Sequence, residues 1–432
     1  MKETNTRSTP LKAIVVGAGN RSKTYASYAL THPDELQVVG VVDPDEIRRH
    51  QLADIHGVAA DRRFANLEQL FAIGPIAEAA INGTMDAIHV PTSLQLLANG
   101  YDILLEKPIG ISREEIMELH KAATERGRKI MICHVLRYAP FYREIRQRIA
   151  DGVIGDIVNI QTTEHVSYHH MATAFVRGKW SNKEQCGSSM LMAKCCHDMD
   201  LLTWLKSGIP PVRVTSSGRQ LFFRNDRAPE GAGTRCLTDC PIEAECLYSA
   251  RRQYIELDRW GVYVWRSIEH LGPTASVEQK LESLRTDNPY GRCVWHCDND
   301  AVDTQSVVVE YADGSTATHN LVGNTSRPCR SVHIIGTKGE ISGVMEEGAF
   351  TIRHPVSAAG SVYSEELVKL KVSMDMHGGG DLRLVEDFIR IQRGEEASLS
   401  TTSLEDSIYG HLLGFGADQA MGQNTWVTLE SL

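Results

Sequence analysis

The feature that most constrains this chain is an apolar strand that runs into a glycine turn and is answered, about twenty residues on, by an acid ending a second strand. Ala13-Ile14-Val15-Val16 leads into Gly17-Ala18-Gly19-Asn20-Arg21, and a helix starting near Ser22 carries Tyr25, Tyr28, Ala29 and Leu30. The next strand, residues 36–42, ends at Asp43. Gly17 permits the tight turn, and Gly19 lets a pyrophosphate approach the backbone where a helix begins. Ser22 replaces the third glycine of the usual fingerprint, so the acid carries much of the weight. A carboxylate at Asp43 accepts hydrogen bonds from a ribose 2′-hydroxyl and repels a 2′-phosphate, which favours NAD over NADP. Arg48 and Arg49 lie too far along the following helix to clamp a phosphate.

The pattern then repeats. Residues 45–56 read as a helix, 64–71 as a short strand or turn and a helix, 79–82 as a strand ending at Gly83-Thr84, and 89–99 as a helix capped by Gly100. Ser112 with Glu115 three residues later is a capping-box candidate for a helix reaching Arg126, and 129–134 is one more strand. Strands alternating with helices imply a parallel, doubly wound sheet, an α/β Rossmann domain over residues 1–138. Within it the apolar strand 103–105 ends in Glu106-Lys107-Pro108. Pro108 cannot donate to a ladder, so an acid and a base are presented at the carboxyl end of a strand, where ligands bind in open α/β sheets.

Charge and composition exclude other classes. The net charge is −10, with 45 Lys and Arg against 55 Asp and Glu, the opposite of what nucleic acid or an anionic membrane attracts. No apolar run approaches the roughly 18 residues that span a bilayer. The first seven residues are polar and lack the apolar core of a signal peptide. Ten cysteines in 432 residues, Cys195 and Cys196 adjacent, do not form a disulfide framework, so a reducing, cytoplasmic location is expected.

Gly17-Ala18-Gly19-Asn20-Arg21, Asp43, Asn82-Gly83-Thr84, His89 and above all Glu106-Lys107-Pro108 resemble the Gfo/Idh/MocA family of NAD(P)-dependent sugar and inositol oxidoreductases. The resemblance implies that Lys107 lies beside the nicotinamide and contacts the substrate hydroxyl. It implies that Thr84 and His89 lie near the nicotinamide ribose, and that Gly17, Gly19, Asn20, Arg21, Asp43, Glu106 and Lys107 belong to the cofactor site. It also implies a second domain opening with a helix, a G-x-(I/L)-G turn and a strand, matched by Gly152-Val153-Ile154-Gly155 and residues 157–164.

That second domain, residues 139–432, reads as α+β. Hairpins at Asp313-Gly314 and Thr337-Lys338-Gly339 imply an open, mainly antiparallel sheet. Such a sheet has a face to cover, so a homodimer or homotetramer is expected. The loop 165–170, with Tyr168, His169 and His170, offers aromatic faces and polar groups suited to a sugar, and Arg177 adds a fixed cation with a planar fork of donors. On residues 188–205 apolar side chains recur at helical spacing, with Lys194, His197 and Asp200 three apart. His197 and Asp200 match the H-x-x-D that ends a helix in the family, whose histidine bonds the substrate hydroxyl and serves as base. Ala193 stands where the family has an aspartate. His377, beside three glycines, is expected near the pocket, and Asp381 is expected to cap the helix that follows. Residues 206–300 read as a cysteine-rich insertion. Cys236, Cys240, Cys246, Cys293 and Cys297 lack the C-x2-C spacing of zinc sites, so free thiols in packed loops are expected, with no metal.

These readings converge on an NAD-dependent dehydrogenase of a secondary alcohol in a sugar, inositol or polyol. Lys107 and His197 are its catalytic pair, and Tyr168, Arg177, Lys194, Asp200 and His377 contact the substrate. Two rivals keep the fold. In one, NAD cycles and the net reaction is glycoside cleavage or elimination, motivated by Ala193. In the other, the chain is a non-catalytic sensor of NAD or sugar.

Overall fold

The computed structural model describes residues 9–272, 275–358, 360–371 and 377–430. The polar N-terminal stretch and Met376 lie outside them. Six strands form the first sheet: β1 (Leu11–Val16), β2 (Leu36–Val42), β3 (Arg63–Phe64), β4 (Ala79–Asn82), β5 (Asp102–Leu105) and β6 (Ile130–Ile132). Their order is β3-β2-β1-β4-β5-β6, with parallel pairings throughout. Every residue of β4 is buried, as a strand covered on both faces must be.

Register fixes what meets at the carboxyl edge. Val16 pairs with Val42 on one side and with Asn82 on the other. Gly17, Asp43 and Gly83, each the next residue in its strand, are therefore neighbours. One face of the sheet packs Val15, Tyr25, Leu52 and Phe388 into a common core, and the other packs Val16, Leu97, Ile116 and Ile408. The helices Gly380–Gln392 and Leu404–Gln423 thus help cover the N-terminal sheet. On the first of these, Leu384, Val385, Phe388 and Ile389 form one buried stripe. The helix Arg113–Arg126 is capped by Ser112, whose Oγ accepts from the Glu115 N–H, and ends on Gly127 at φ 59°. The Glu115 carboxylate reaches the Ile111 N–H rather than that of Ser112, so the expected capping box closes one residue early.

Nine strands form the second sheet: β7 (Ile157–Ser167), β8 (Pro211–Arg219), β9 (Thr304–Tyr311), β10 (Thr316–Thr325), β11 (Cys329–Gly336), β12 (Glu340–Val344), β13 (Ala349–Ala358), β14 (Ser361–Lys369) and β15 (Val427–Thr428). Their order is β14-β13-β12-β11-β7-β10-β9-β8-β15. Pairs β9–β10, β12–β13 and β13–β14 are antiparallel. Asp313 turns the β9–β10 hairpin by accepting from the Ser315 N–H, with Gly314 at φ 84°.

The insertion begins after β8, later than the sequence suggests, because residues 211–219 pair in the sheet. It has a small core of its own, with Cys236, Ala250, Tyr254, Val264, Leu284 and Tyr290. The chain divides into two compact units, neither continuous in sequence: Met1–Asn159 with Met199–Pro210 and His333–Phe415, and Ile160–Asp198 with Pro211–Val332 and Gly416–Leu432. Among the described residues no helix is long and apolar enough to cross a membrane.

Candidate active site

In the first unit the glycine turn is fastened on both sides. Gly17 has φ 83°, and a Cβ there would lie 2.8 Å from the Gly83 carbonyl oxygen and 2.9 Å from the Thr84 nitrogen. The position therefore needs glycine for conformation and for space. The Ala18 N–H donates to Asp43 Oδ2 at 2.6 Å and the Asp45 N–H to Oδ1 at 2.8 Å. Each carboxylate oxygen keeps a second acceptor site, which suits a ribose hydroxyl. The helix Asn20–Ala26 starts at Asn20, ahead of Ser22, and Gly19 caps it without a side-chain bond.

At the end of β5, Glu106 is buried and held from three directions. It accepts from Arg21 Nε at 2.8 Å, from the Tyr25 hydroxyl at 2.8 Å and from the Lys107 N–H. Burial raises its pKa, but the charges of Arg21 and Lys107 and the bonds from Arg21 and Tyr25 outweigh this and leave it below the ordinary carboxylate value. Arg21 also pairs with Asp381, which pairs with His377 Nδ1 at 3.0 Å. Asp381 is not the helix cap, because Gly379 takes that place and the carboxylate turns to Arg21 and the His377 imidazole instead. Arg21, Glu106, His377 and Asp381 are thus one hydrogen-bonded chain that holds the strand end.

The loop after Lys107 is braced as well. The Lys107–Pro108 peptide is cis. His89 is buried, with Nδ1 2.6 Å from the Pro108 carbonyl and Nε2 3.2 Å from that of Thr84, so it ties the β4 and β5 loops together. The Ile109 N–H donates to His411 Nε2 at 2.9 Å, and burial pushes His411 down to about 3.

Asp200, expected on the substrate, is instead 1% exposed and bidentate to Arg137, with Nε to Oδ2 at 2.8 Å and Nη2 to Oδ1 at 2.5 Å. This corrects the sequence reading: with both oxygens on a buried guanidinium, Asp200 anchors its helix rather than a ligand. His134 Nε2 lies 3.8 Å from Asp200, and burial, then Arg137 and Lys107, hold this histidine well below its ordinary pKa.

The second unit carries the other candidates. Lys194, on the helix Met190–Leu205, pairs through Nζ with Glu164 Oε1 at 2.9 Å. Arg330 Nε bridges Glu164 at 2.9 Å and Asp198 at 3.1 Å. His197 is buried one turn beyond Lys194. Cys195, Asp198 and His319 bring ligand atoms within 4.8 Å of one another, but the Arg330 guanidinium already meets Asp198 and opposes a metal ion there. The Tyr168 hydroxyl accepts from Arg259 at 3.0 Å, and the Trp260 ring stacks on His170 at 4.4 Å.

Arg177 is a second correction. It is 1% exposed, and each of its three nitrogens donates within the protein, to the Arg292 and Tyr248 carbonyls, the Tyr254 hydroxyl and Cys236 Sγ. It serves the insertion, not a sugar. Sequence reasoning missed Arg137, Glu164, Arg330 and His411. A lone charge in the apolar stretch Val135–Tyr138, five residues past the end of β6, was the available signal for Arg137. Arg330, whose partners are far away in the chain, gave none.

Glycine turn, acid and strand-end lysine at the carboxyl edge of a sheet ordered in this way make the protein an NAD-dependent oxidoreductase. A family model described as the NAD-binding Rossmann fold of an oxidoreductase family matches residues 11–134, and one described as that family's C-terminal alpha/beta domain matches residues 146–429. The chain belongs to the Gfo/Idh/MocA family. It is 25% identical over 317 residues to the Bacillus subtilis (strain 168) protein YteT, which carries an oxidoreductase name, covering 70% of this chain and 69% of that one. It is 27% identical over 210 residues to trans-1,2-dihydrobenzene-1,2-diol dehydrogenase of Bos taurus, covering 48% of this chain and only 59% of that enzyme. The fold is also that of the WlbA dehydrogenase of Bordetella pertussis, solved with NADH and UDP-GlcNAcA, at TM-score 0.64 and 16% identity over 98% of this chain and 100% of that one.

Proposed function

We propose that this oxidoreductase moves hydride between NAD and a secondary alcohol of a sugar, inositol or related polyol. The observation that carries the reading is the fixed corner at the end of β5: Glu106 is held by Arg21 and Tyr25, so Lys107 is presented at a set point on the sheet edge. NAD supplies the hydride acceptor. Asp43 fits its ribose, since each carboxylate oxygen takes one backbone N–H and keeps a second acceptor position. Gly17, Gly19, Asn20 and Arg21 would receive the pyrophosphate, Asp43 the ribose, and Thr84 with His89 would shape the loop beside the nicotinamide. The Lys107 ammonium donates to the alcohol oxygen and steadies the negative charge that develops as hydride leaves. His197 accepts the hydroxyl proton, a task suited to an imidazole at neutral pH. Lys194 and Tyr168 supply donors, and the ring pair His170–Trp260 offers an apolar face of the kind that stacks on sugars.

Two further expectations belong to this reading. A second copy of the chain covers the exposed edge strand β14, giving a homodimer or homotetramer. Ten cysteines without a disulfide suit a cytoplasmic enzyme.

The test is Lys107→Met assayed against a panel of polyols, sugars and sugar derivatives. Turnover should fall at least about 100-fold while NAD affinity, read by dinucleotide fluorescence, stays within a few-fold, since one lost charge on the transition state is worth roughly 3 kcal/mol. Undiminished turnover in that variant overturns the assignment. Product formed without accumulating NADH would show glycoside cleavage instead.

A further inference from the structure

The insertion holds a feature that the proposed chemistry does not use. Cys236, Cys240, Cys246 and Cys293 line one cavity, with Arg177 in its wall. The backbone preassembles it. The Cys236 N–H donates to the Gly291 carbonyl at 2.9 Å and the Cys293 N–H to that of Thr234 at 2.8 Å, so two distant segments run side by side. Turns bring in the others, with the Glu243 N–H on the Cys240 carbonyl and the Cys246 N–H on that of Glu243.

One of these sulfurs meets a buried guanidinium. Arg177 Nη2 donates to Cys236 Sγ at 3.3 Å. Donors aimed at sulfur favour thiolate. Burial of Cys236 and Cys293 opposes it. Arg177 poses the same conflict from the other side. Its partners are carbonyls, a phenol and a sulfur, and among the described residues no carboxylate bonds to it. A buried guanidinium without a counter-charge is strongly disfavoured. Thiolates held by a metal resolve both conflicts, because the metal displaces the thiol protons to solvent and leaves the set anionic beside Arg177.

We infer that Cys236, Cys240, Cys246 and Cys293 are the four thiolate ligands of a metal centre, with Arg177 as the cation that neutralises it. The spacing says which kind. Zinc bound at about 2.3 Å would draw four sulfurs to roughly 3.8 Å of one another. These four yield no three-ligand group within 4.8 Å, whereas Cys195, Asp198 and His319 do. A set this wide suits a polynuclear iron–sulfur cluster. Cys297 lies outside the cavity lining, with its thiol donating to the Cys293 carbonyl at 3.2 Å, and is not a ligand.

The full-length protein, purified without oxygen and without chelator, is analysed for iron, zinc and acid-labile sulfide, and its visible spectrum is recorded. Stoichiometric iron and sulfide with broad absorption near 400 nm is the expected result. One zinc per chain without iron keeps the four thiolates as ligands but overturns the iron–sulfur assignment. Neither metal present, with all the insertion thiols reacting as free groups in the folded protein, overturns the proposal. Cys246→Ser should lower metal content at least tenfold, and Cys297→Ser should leave it unchanged. The reverse pattern overturns the ligand set, and the wild-type analysis decides the matter even if Cys246→Ser does not fold.

Discussion

Asp200 shows most plainly how a residue's role follows from its partner. Both of its oxygens are taken by Arg137, and neither group reaches solvent. Removing the acid leaves a buried guanidinium alone, at a cost of about 3–5 kcal/mol. Asp200→Ala should therefore lower the melting temperature sharply, and Asp200→Asn less so. A variant that melts like wild type but has a raised KM would make Asp200 a substrate ligand after all. The residues legible in the sequence were those whose meaning is local. Gly17, Asp43 and Lys107 each sit at the end of their own strand; spacing within one βαβ unit exposed the first two, and the Glu106-Lys107-Pro108 stretch closing an apolar strand exposed the third. Asp200 and Arg137 lie 63 residues apart, and Ile109 and His411 lie 302 apart. No periodicity connects such pairs, because only tertiary folding brings them together.

At the scale of elements, the Rossmann strands were readable because parallel strands covered on both faces are written as unbroken Val and Ile runs. The helix Met190–Leu205 was readable as a helix but not as a site. Nearly all its residues are buried, so no polar stripe separates a working face from a packing face. The insertion was opaque for a different reason: its short helices are held by side-chain bonds and a small core, which leave no period to read. The edge strand β14 carries its own prediction. Val362 is 77% exposed and Leu367 56% exposed on a strand with one unpaired edge, an arrangement that invites pairing with another chain. Val362→Lys combined with Leu367→Lys should convert an oligomer to monomer in size-exclusion chromatography with light scattering. A monomeric wild type would end that expectation.

For the whole molecule, acid is the expected weakness. His134, His319 and His411 are all buried, and burial depresses each, His411 to about 3. The unfolded chain takes up these protons below about pH 6.5 and the folded chain does not, so stability is lost as pH falls from there toward the folded values. Each histidine contributes a slope of at most about 1.4 kcal/mol per pH unit. Melting temperatures measured from pH 7.5 to 5 should fall steadily, and His411→Gln should flatten the decline. A flat profile would mean that water or an acid partner reaches these rings. Both faces of the N-terminal sheet also share their cores with side chains such as Phe388 and Ile408. During synthesis, then, the six strands leave the ribosome some 250 residues ahead of the helices that seal them, and a ribosome stalled in between holds a half-clothed sheet of the kind that chaperones shield.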